Sequence, residues 1–222
     1  MALPLFRTRA LIPPLAPRLP AAPVEYDRGY IDTTLSILRQ YFNTIDNFTQ
    51  PFSTNNGGAF LQFPNGAFSS DQDQSTTANT ATLMTLNTTD FSNNVSIASS
   101  KITVAIAGTY NLQFSTQFQN TDNQIQDISI WLKQNGVNIP GSTGLVSIPA
   151  RKSASAGEEA HQIIGWNYFV QLQAEQYIEI YWSTTNASVT IQAYPTSTGP
   201  VRPSTQSVVA TMTFVSALFP TT

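Results

Sequence analysis

His161 is the only histidine among the 222 residues, and in the stretch AGEEAHQIIGW only Ala160 separates it from Glu158 and Glu159. A Ser-His-Asp arrangement would have to use this imidazole, because the chain has no other. Two carboxylates beside one imidazole also carry the donor atoms of a metal site, but the sequence has no second such cluster to complete one. No G-x-S-x-G motif accompanies the histidine. The sequence therefore predicts no catalytic residues and no metal site.

A second stretch with the composition of a ligand loop is DQDQS at residues 71–75, which begins like a calcium-binding loop. An EF-hand needs glycine at its sixth position and glutamate at its twelfth, whereas this chain has Thr76 and Thr82 there. Phosphate-binding loops are absent, and the acidic body of the chain argues against a nucleic-acid groove. We expect no cofactor and no nucleic-acid partner.

The three tryptophans, Trp131, Trp166 and Trp182, could stack on sugars if they were exposed. Alternating apolar and polar residues surround them, and this pattern favours a buried core position for at least two. Carboxylate pairs suited to glycoside hydrolysis stay an open alternative, because their separation is set by the fold. The sequence favours a protein that is not an enzyme.

The composition limits how these side chains can be positioned. Only 10% of the residues are charged and none is cysteine, so packing must stabilise the fold. Asn, Gln, Ser and Thr take the place of charges, and such side chains can be buried against a neighbouring subunit at less cost than ions. The length suits one all-β domain with appendages, or at most two small domains.

Residues 1–28 form a proline-rich, basic segment with four arginines, while the rest of the chain has six basic and eleven acidic residues. Its prolines exclude a helix or central strand and interrupt any apolar run, so we expect an extended arm, no signal peptide and no membrane partner. A disordered leader is the alternative. The residues expected to anchor the arm to another surface are apolar or basic: Leu3, Leu5, Phe6, Arg7, Arg9, Leu11, Ile12, Arg18 and Leu19.

Residues 29–50 predict one short amphipathic helix, with Asp27 as its N-cap and Pro51 as its end. Its apolar residues follow spacings of four and three along about two heptads, which is too short to be stable alone in water. The helix therefore either associates with copies of itself or docks on its own domain. We name this stripe the helix seam; its members are Ile31, Leu35, Leu38, Phe42 and Ile45.

Residues 51–80 predict a polar linker that enters a first, edge-like strand, and residues 81–222 predict an all-β head. In the head, short runs with a period of two are separated by turn residues such as Asn135-Gly136. This pattern is typical of an antiparallel β-sandwich, and we expect a jelly roll. Within residues 107–120 the polar side chains should face outward, to solvent or to another subunit; these are Asn111, Gln113 and Ser115. The apolar side chains should face the core; these are Tyr110, Leu112 and Phe114.

Four stretches of the head, IAGTYNLQF (106–114), ISIWLKQNGVNIP (128–140), YIEIYWS (177–183) and ATMTFVSAL (210–218), occur in a particular order. Together they resemble the strands of the tumour necrosis factor and complement globular-head superfamily, over roughly residues 80–220. The resemblance implies a compact homotrimer of jelly-roll heads.

An arm, a short helix and a jelly-roll head resemble the accessory proteins of tailed-bacteriophage virions. The arm favours a homotrimeric decoration, or cement, protein on the outer surface of the capsid, with the major capsid protein as its partner. The alternative is a tail-fibre or receptor- and glycan-binding head that would use loops 120–127, 141–160 and 195–206, although a fibre would need a longer shaft. A hydrolase on the same scaffold is the third hypothesis.

Overall fold

The structure is a computed structural model that describes residues 14–53, 63–153 and 157–218. The chain divides into two compact units between Gln62 and Phe63. The first contains the arm and the helix, and the second, which we call the body, contains the strands.

In the first unit, residues 14–27 have no helix or strand, and a helix α1 follows at Arg28–Ser53. The side chain of Asp27 accepts a hydrogen bond from the Gly29 N–H at 2.8 Å, which is the predicted N-cap. The helix does not end at Pro51, as the sequence suggested, but includes it. Proline in the last turn removes only one backbone hydrogen bond, so the helix can continue through it.

The body is built from strands, and the described residues contain fifteen of them. They are β1 (Asn65–Ser70), β2 (Thr82–Leu83), β3 (Thr88–Asn93), β4 (Val95–Ala98), β5 (Lys101–Val104), β6 (Gly108–Asn120), β7 (Gln126–Gln134), β8 (Val137–Asn138), β9 (Gly144–Ile148), β10 (Ala160–Leu172), β11 (Tyr177–Thr184), β12 (Val189–Ile191), β13 (Ser197–Thr198), β14 (Val201–Arg202) and β15 (Val208–Ser216).

Two antiparallel sheets carry most of these strands. Sheet A has the order β10-β6-β15-β1-β3, with β12 also paired to β6. Sheet B has the order β4-β5-β11-β7-β8, with β2 paired to β11 and β9 to β7. The prediction of an all-β, antiparallel sandwich with one N-terminal helix is confirmed. Its finer part, jelly-roll connectivity, stays a prediction.

The core lies between the sheets and follows the alternation in the sequence. Along β6, Tyr110, Leu112 and Phe114 are buried and the residues between them are not. The ring of Phe118 in sheet A meets Trp182 of sheet B edge to face, with 5.7 Å between centroids. Each fully buried apolar side chain of this size contributes roughly 1.5–3 kcal/mol, so this layer supplies much of the stability that disulfides would give elsewhere.

Two expectations about the body need correction. The strand at Asn65–Ser70 is not an edge strand, because β1 pairs with β15 on one side and β3 on the other, and the body begins at Phe63. Of the tryptophans only Trp182 is fully buried, while Trp131 and Trp166 are half-buried. Trp131 alternates with the buried Ile130 and Leu132 of β7 and so faces outward, as the period of two in this strand indicates.

Candidate functional site

The single histidine lies beside a tyrosine at the surface of the body. His161 is exposed on β10, and its Nδ1 lies 3.0 Å from the Tyr194 hydroxyl, which donates to Gln119 Oε1 at 3.2 Å. Burial raises the pKa of Tyr194, and the negative charges of Glu159 and Asp73 raise it further. The imidazole therefore fastens the segment after β12 to sheet A, and this hydrogen bond pairs it with a phenol rather than with a serine.

The acidic residues of DQDQS hold neighbouring loops. Asp71 accepts a hydrogen bond from Asn87 Nδ2 at 2.6 Å, and Asp73 accepts one from the Ala193 N–H at 2.9 Å. Within the described ranges, no group of three or more His, Asp or Glu side chains could hold a metal ion.

Of the residues predicted to anchor the arm, the described part contains only Arg18 and Leu19. Both are exposed, in a stretch without helix or strand. The Tyr30 hydroxyl of α1 donates to the Pro20 carbonyl at 3.3 Å, which ties the base of the arm to the first turn of the helix. The other predicted anchors lie outside the described residues: Leu3, Leu5, Phe6, Arg7, Arg9, Leu11 and Ile12.

The helix seam is largely exposed. Leu35 is 46% exposed and Phe42 57%, Ile31 is also exposed, and Leu38 and Ile45 are half-buried. On the opposite side, the hydroxyls of Thr33 and Thr44 donate to the carbonyls one turn earlier, each at 2.8 Å. The polar side of α1 is therefore satisfied by its own backbone, while the apolar side still exposes area that a partner could bury.

The outer surface of sheet A carries a row of uncharged polar side chains along β6, flanked by exposed apolar ones on β10 and β15. We call this surface the amide face. Its polar row is Asn111, Gln113, Ser115, Gln117 and Gln119, and its apolar members are Ile163, Phe169, Val209 and Val215.

Two features of the amide face are unusual for a surface that meets only water. Ile163 is 65% exposed and Phe169 58%, and both lie on β10, the strand at one edge of sheet A. Asn111 Oδ1 is buried and has no hydrogen-bond partner among the described residues. A buried acceptor without a donor costs about 1–3 kcal/mol.

A shallow open hollow of about 490 Å³ lies in the amide face, over Gly165. A Cβ atom at Gly165 would meet only the Phe114 carbonyl oxygen, at an ordinary 3.8 Å. At Gly144, in contrast, a Cβ would collide with the ring of Trp166, so the packing of the body itself requires that glycine. Glycine weakens a strand interior and often marks a close approach by another backbone or a ligand. The hollow is lined by Gln113, Phe114, Ser115, Gly165, Trp166, Asn167, Val209 and Thr211.

The loops named for the alternative hypothesis are partly structured. Residues 141–160 include β9, which pairs with β7, and residues 195–206 include the β13–β14 hairpin. Residues 120–127 are fastened by Asn120, whose buried side chain donates to the carbonyls of Gln124 and Pro149 at 2.9 Å.

The fold and these surfaces define an antiparallel β-sandwich with an N-terminal helix, in which the helix seam and the amide face both expose apolar side chains. No protein-family model matches the chain, and no curated protein matches it. None of the helices in the described part is long and apolar enough to cross a membrane.

Proposed function

We propose that this chain is a structural protein of a bacteriophage virion, a non-enzymatic homotrimer that decorates and cements the capsid. In this proposal the arm binds the major capsid protein, and the body projects from the outer surface of the capsid. The observation that carries the proposal is the amide face, a surface with the chemistry of a subunit interface.

The amide face suits contact with copies of the same chain for three reasons. Its exposed Ile163 and Phe169 lose contact with water on association, which is worth about 25 cal/mol per Å² of apolar surface. Its amides are uncharged and can form hydrogen bonds across a subunit boundary. The hollow over Gly165 leaves room for a side chain of the neighbour.

The first unit also has features that suit a trimer. The helix seam exposes Leu35 and Phe42, and three such stripes would bury one another in a short coiled coil. Trimerisation would also bring three arms together, so that each weak attachment to the capsid adds to the others. The resemblance to trimeric globular heads supports the same number of copies.

Filling the hollow tests the trimer. Gly165→Gln places a polar side chain where the monomer has room, so we expect an unchanged circular-dichroism spectrum but dissociation at micromolar concentration, measured by sedimentation velocity. Thr89→Gln, an exposed position on β3, is the matched control and should stay trimeric. A wild-type chain that is monomeric at these concentrations would overturn the proposal.

Removing the arm tests the cement role. Particles stripped of this protein would be incubated with the full chain or with residues 25–222, and the bound protein measured after sedimentation. The shortened chain should remain a folded trimer but lose its place on the particle. Equal rebinding of the two forms would contradict the anchoring role and favour a receptor-binding head.

A further inference from the structure

The outer surface of sheet B carries a cluster of aromatic and charged side chains that the proposed function does not use. We call it the tyrosine platform; its members are Lys101, Trp131, Lys133, Asn138, Tyr177, Glu179 and Tyr181. The pairing of β11 with β7 places Tyr181 opposite Trp131 and Glu179 opposite Lys133. On its other side β11 pairs with β5, which carries Lys101.

The aromatic part of the platform is ordered by direct contacts. Trp131 and Tyr181 stack with 5.9 Å between centroids and 29° between planes. The Trp131 indole N–H donates to Asn138 Oδ1 at 3.1 Å. Asn138 is held there by the hairpin between β7 and β8, in which Asn135 and Gly136 both have positive φ. A pair of rings with a fixed orientation is thus presented at the surface.

The two lysines lie over tyrosine rings. Lys133 Nζ is 3.8 Å from the centroid of the Tyr181 ring, and Lys101 Nζ is 4.5 Å from that of Tyr177. The chain has three lysines in total, so two of them lie on this one surface of an otherwise acidic body. Each ammonium group has three N–H donors, and a ring contact uses none of them as a conventional hydrogen bond.

Glu179 lies between the two tyrosines on β11 and is only 5% exposed. Among the residues that the structure describes, no hydrogen bond or ion pair reaches its carboxylate, even though lysines occupy both neighbouring strands. The side chain is thus held by its neighbours while its carboxylate has no protein partner, which leaves an acceptor that a bound molecule could satisfy.

We propose that the tyrosine platform is a binding site for a neutral oligosaccharide. A sugar hydroxyl can donate to the Glu179 carboxylate and at the same time accept from a lysine ammonium group. The C–H faces of the sugar ring would lie against Trp131 and Tyr181. Charges of both signs lie close together here, so Glu179 opposes an anionic ligand and the two lysines oppose a cationic one.

The inference does not rest on the capsid proposal, because the platform belongs to one copy of the body. A cement protein with this site would add carbohydrate binding to the particle surface. Experiments that contradict trimerisation or capsid attachment would not contradict the carbohydrate site. The test of the site needs neither particles nor trimers.

The test uses the full chain on a printed array of linear glucose, mannose and galactose oligosaccharides, with uronic-acid and deacetylated amino-sugar oligosaccharides beside them. We expect binding to neutral members, and an affinity about tenfold or more lower in Glu179→Gln and Lys133→Gln, since each removes a charged hydrogen-bond partner. Glu25→Gln and Arg39→Gln remove the same charges at exposed positions of the first unit, outside every loop considered for glycan binding, and should bind like the wild type.

Thermal unfolding of each variant checks that the fold is retained. Trp131→Phe is an independent variant, because it keeps an aromatic face but loses the indole N–H, and its affinity should fall by less than that of the charge variants. Binding by the wild-type chain to no neutral oligosaccharide would overturn the proposal. So would binding confined to the charged sugars, or neutral binding that Glu179→Gln leaves unchanged.

Discussion

Tyr110 combines two roles in a single side chain of the core. Its ring is fully buried and meets Phe214 edge to face, with 5.5 Å between centroids. Its hydroxyl donates to the Ile106 carbonyl at 2.7 Å, which closes the turn that leads into β6. Burial raises the pKa of Tyr110 from 10.0 to about 12, because the phenolate would lose its contact with water.

The raised pKa of Tyr110 predicts a loss of stability at alkaline pH. The unfolded chain releases this proton near pH 10.0 and the folded chain near pH 12. The stabilisation that protonated Tyr110 gives the folded state is therefore complete below pH 10.0 and is lost as the pH rises toward 12. Tyr110→Phe should lower the free energy of unfolding by about 1 kcal/mol at pH 8, because the substitution removes the hydrogen bond to the Ile106 carbonyl. The gap to the wild type should narrow above pH 10, measured by urea unfolding from pH 8 to 11.5.

Tyr194, whose pKa is also raised, is present in both proteins, so its titration cancels in this comparison. A gap that stays constant across the whole pH range would show that Tyr110 ionises equally easily in the folded and unfolded chains.

At the level of elements, the direction of side chains along each strand could be predicted, because a period of two is a local property of the sequence. Tyr110, Leu112 and Phe114 are buried for this reason. The tyrosine platform could not be predicted, since the pairing of Trp131 with Tyr181 depends on register between strands far apart in the chain. The same holds for the hollow, which needs β10, β6 and β15 to be neighbours.

The run IIGWNYF within β10 did carry a signal that was missed. Ile163 and Ile164 are both apolar, as are Tyr168 and Phe169, so the strand has large apolar residues on both of its sides. One side fills the core, and the other side contributes to the amide face. Two apolar sides on a strand of an antiparallel sheet indicate that both sides are covered, here by another molecule under the proposed function.

Substitutions in the helix seam should separate association of the chain from its folding. The double variant Leu35→Gln, Phe42→Gln should have a free energy of unfolding within about 0.5 kcal/mol of the wild type, because both side chains are already exposed in the single chain. Association should nevertheless weaken, with a sedimentation-equilibrium dissociation constant at least about tenfold higher.

The matched control changes Thr33 and Thr44 to glutamine on the opposite side of α1 and should leave association unchanged. If the seam variant instead loses several kcal/mol without a change in association, the seam packs within its own chain.

For the whole molecule, the division at Phe63 separates the two surfaces that the proposed function assigns to contact between copies. The body has its own core and the amide face, while the first unit has the helix seam and the arm. Charge follows the same division, since residues 1–28 are basic and the remainder is acidic. Attachment through the arm should therefore weaken with salt more than association through the uncharged amide face.

The body should be an independent folding and association unit. Residues 63–222 should fold without the first unit, because their core of buried residues lies entirely within the body. The fragment should still trimerise through the amide face, but more weakly than the full chain by about 10²- to 10⁴-fold, since linked interfaces act as one through effective concentration. Sedimentation equilibrium of the two forms measures the ratio, with the Gly165→Gln fragment as the control that should be monomeric. If the fragment associates as tightly as the full chain, the helix seam is not part of the interface. If the wild-type fragment is monomeric, association depends on the helix seam and not on the amide face alone.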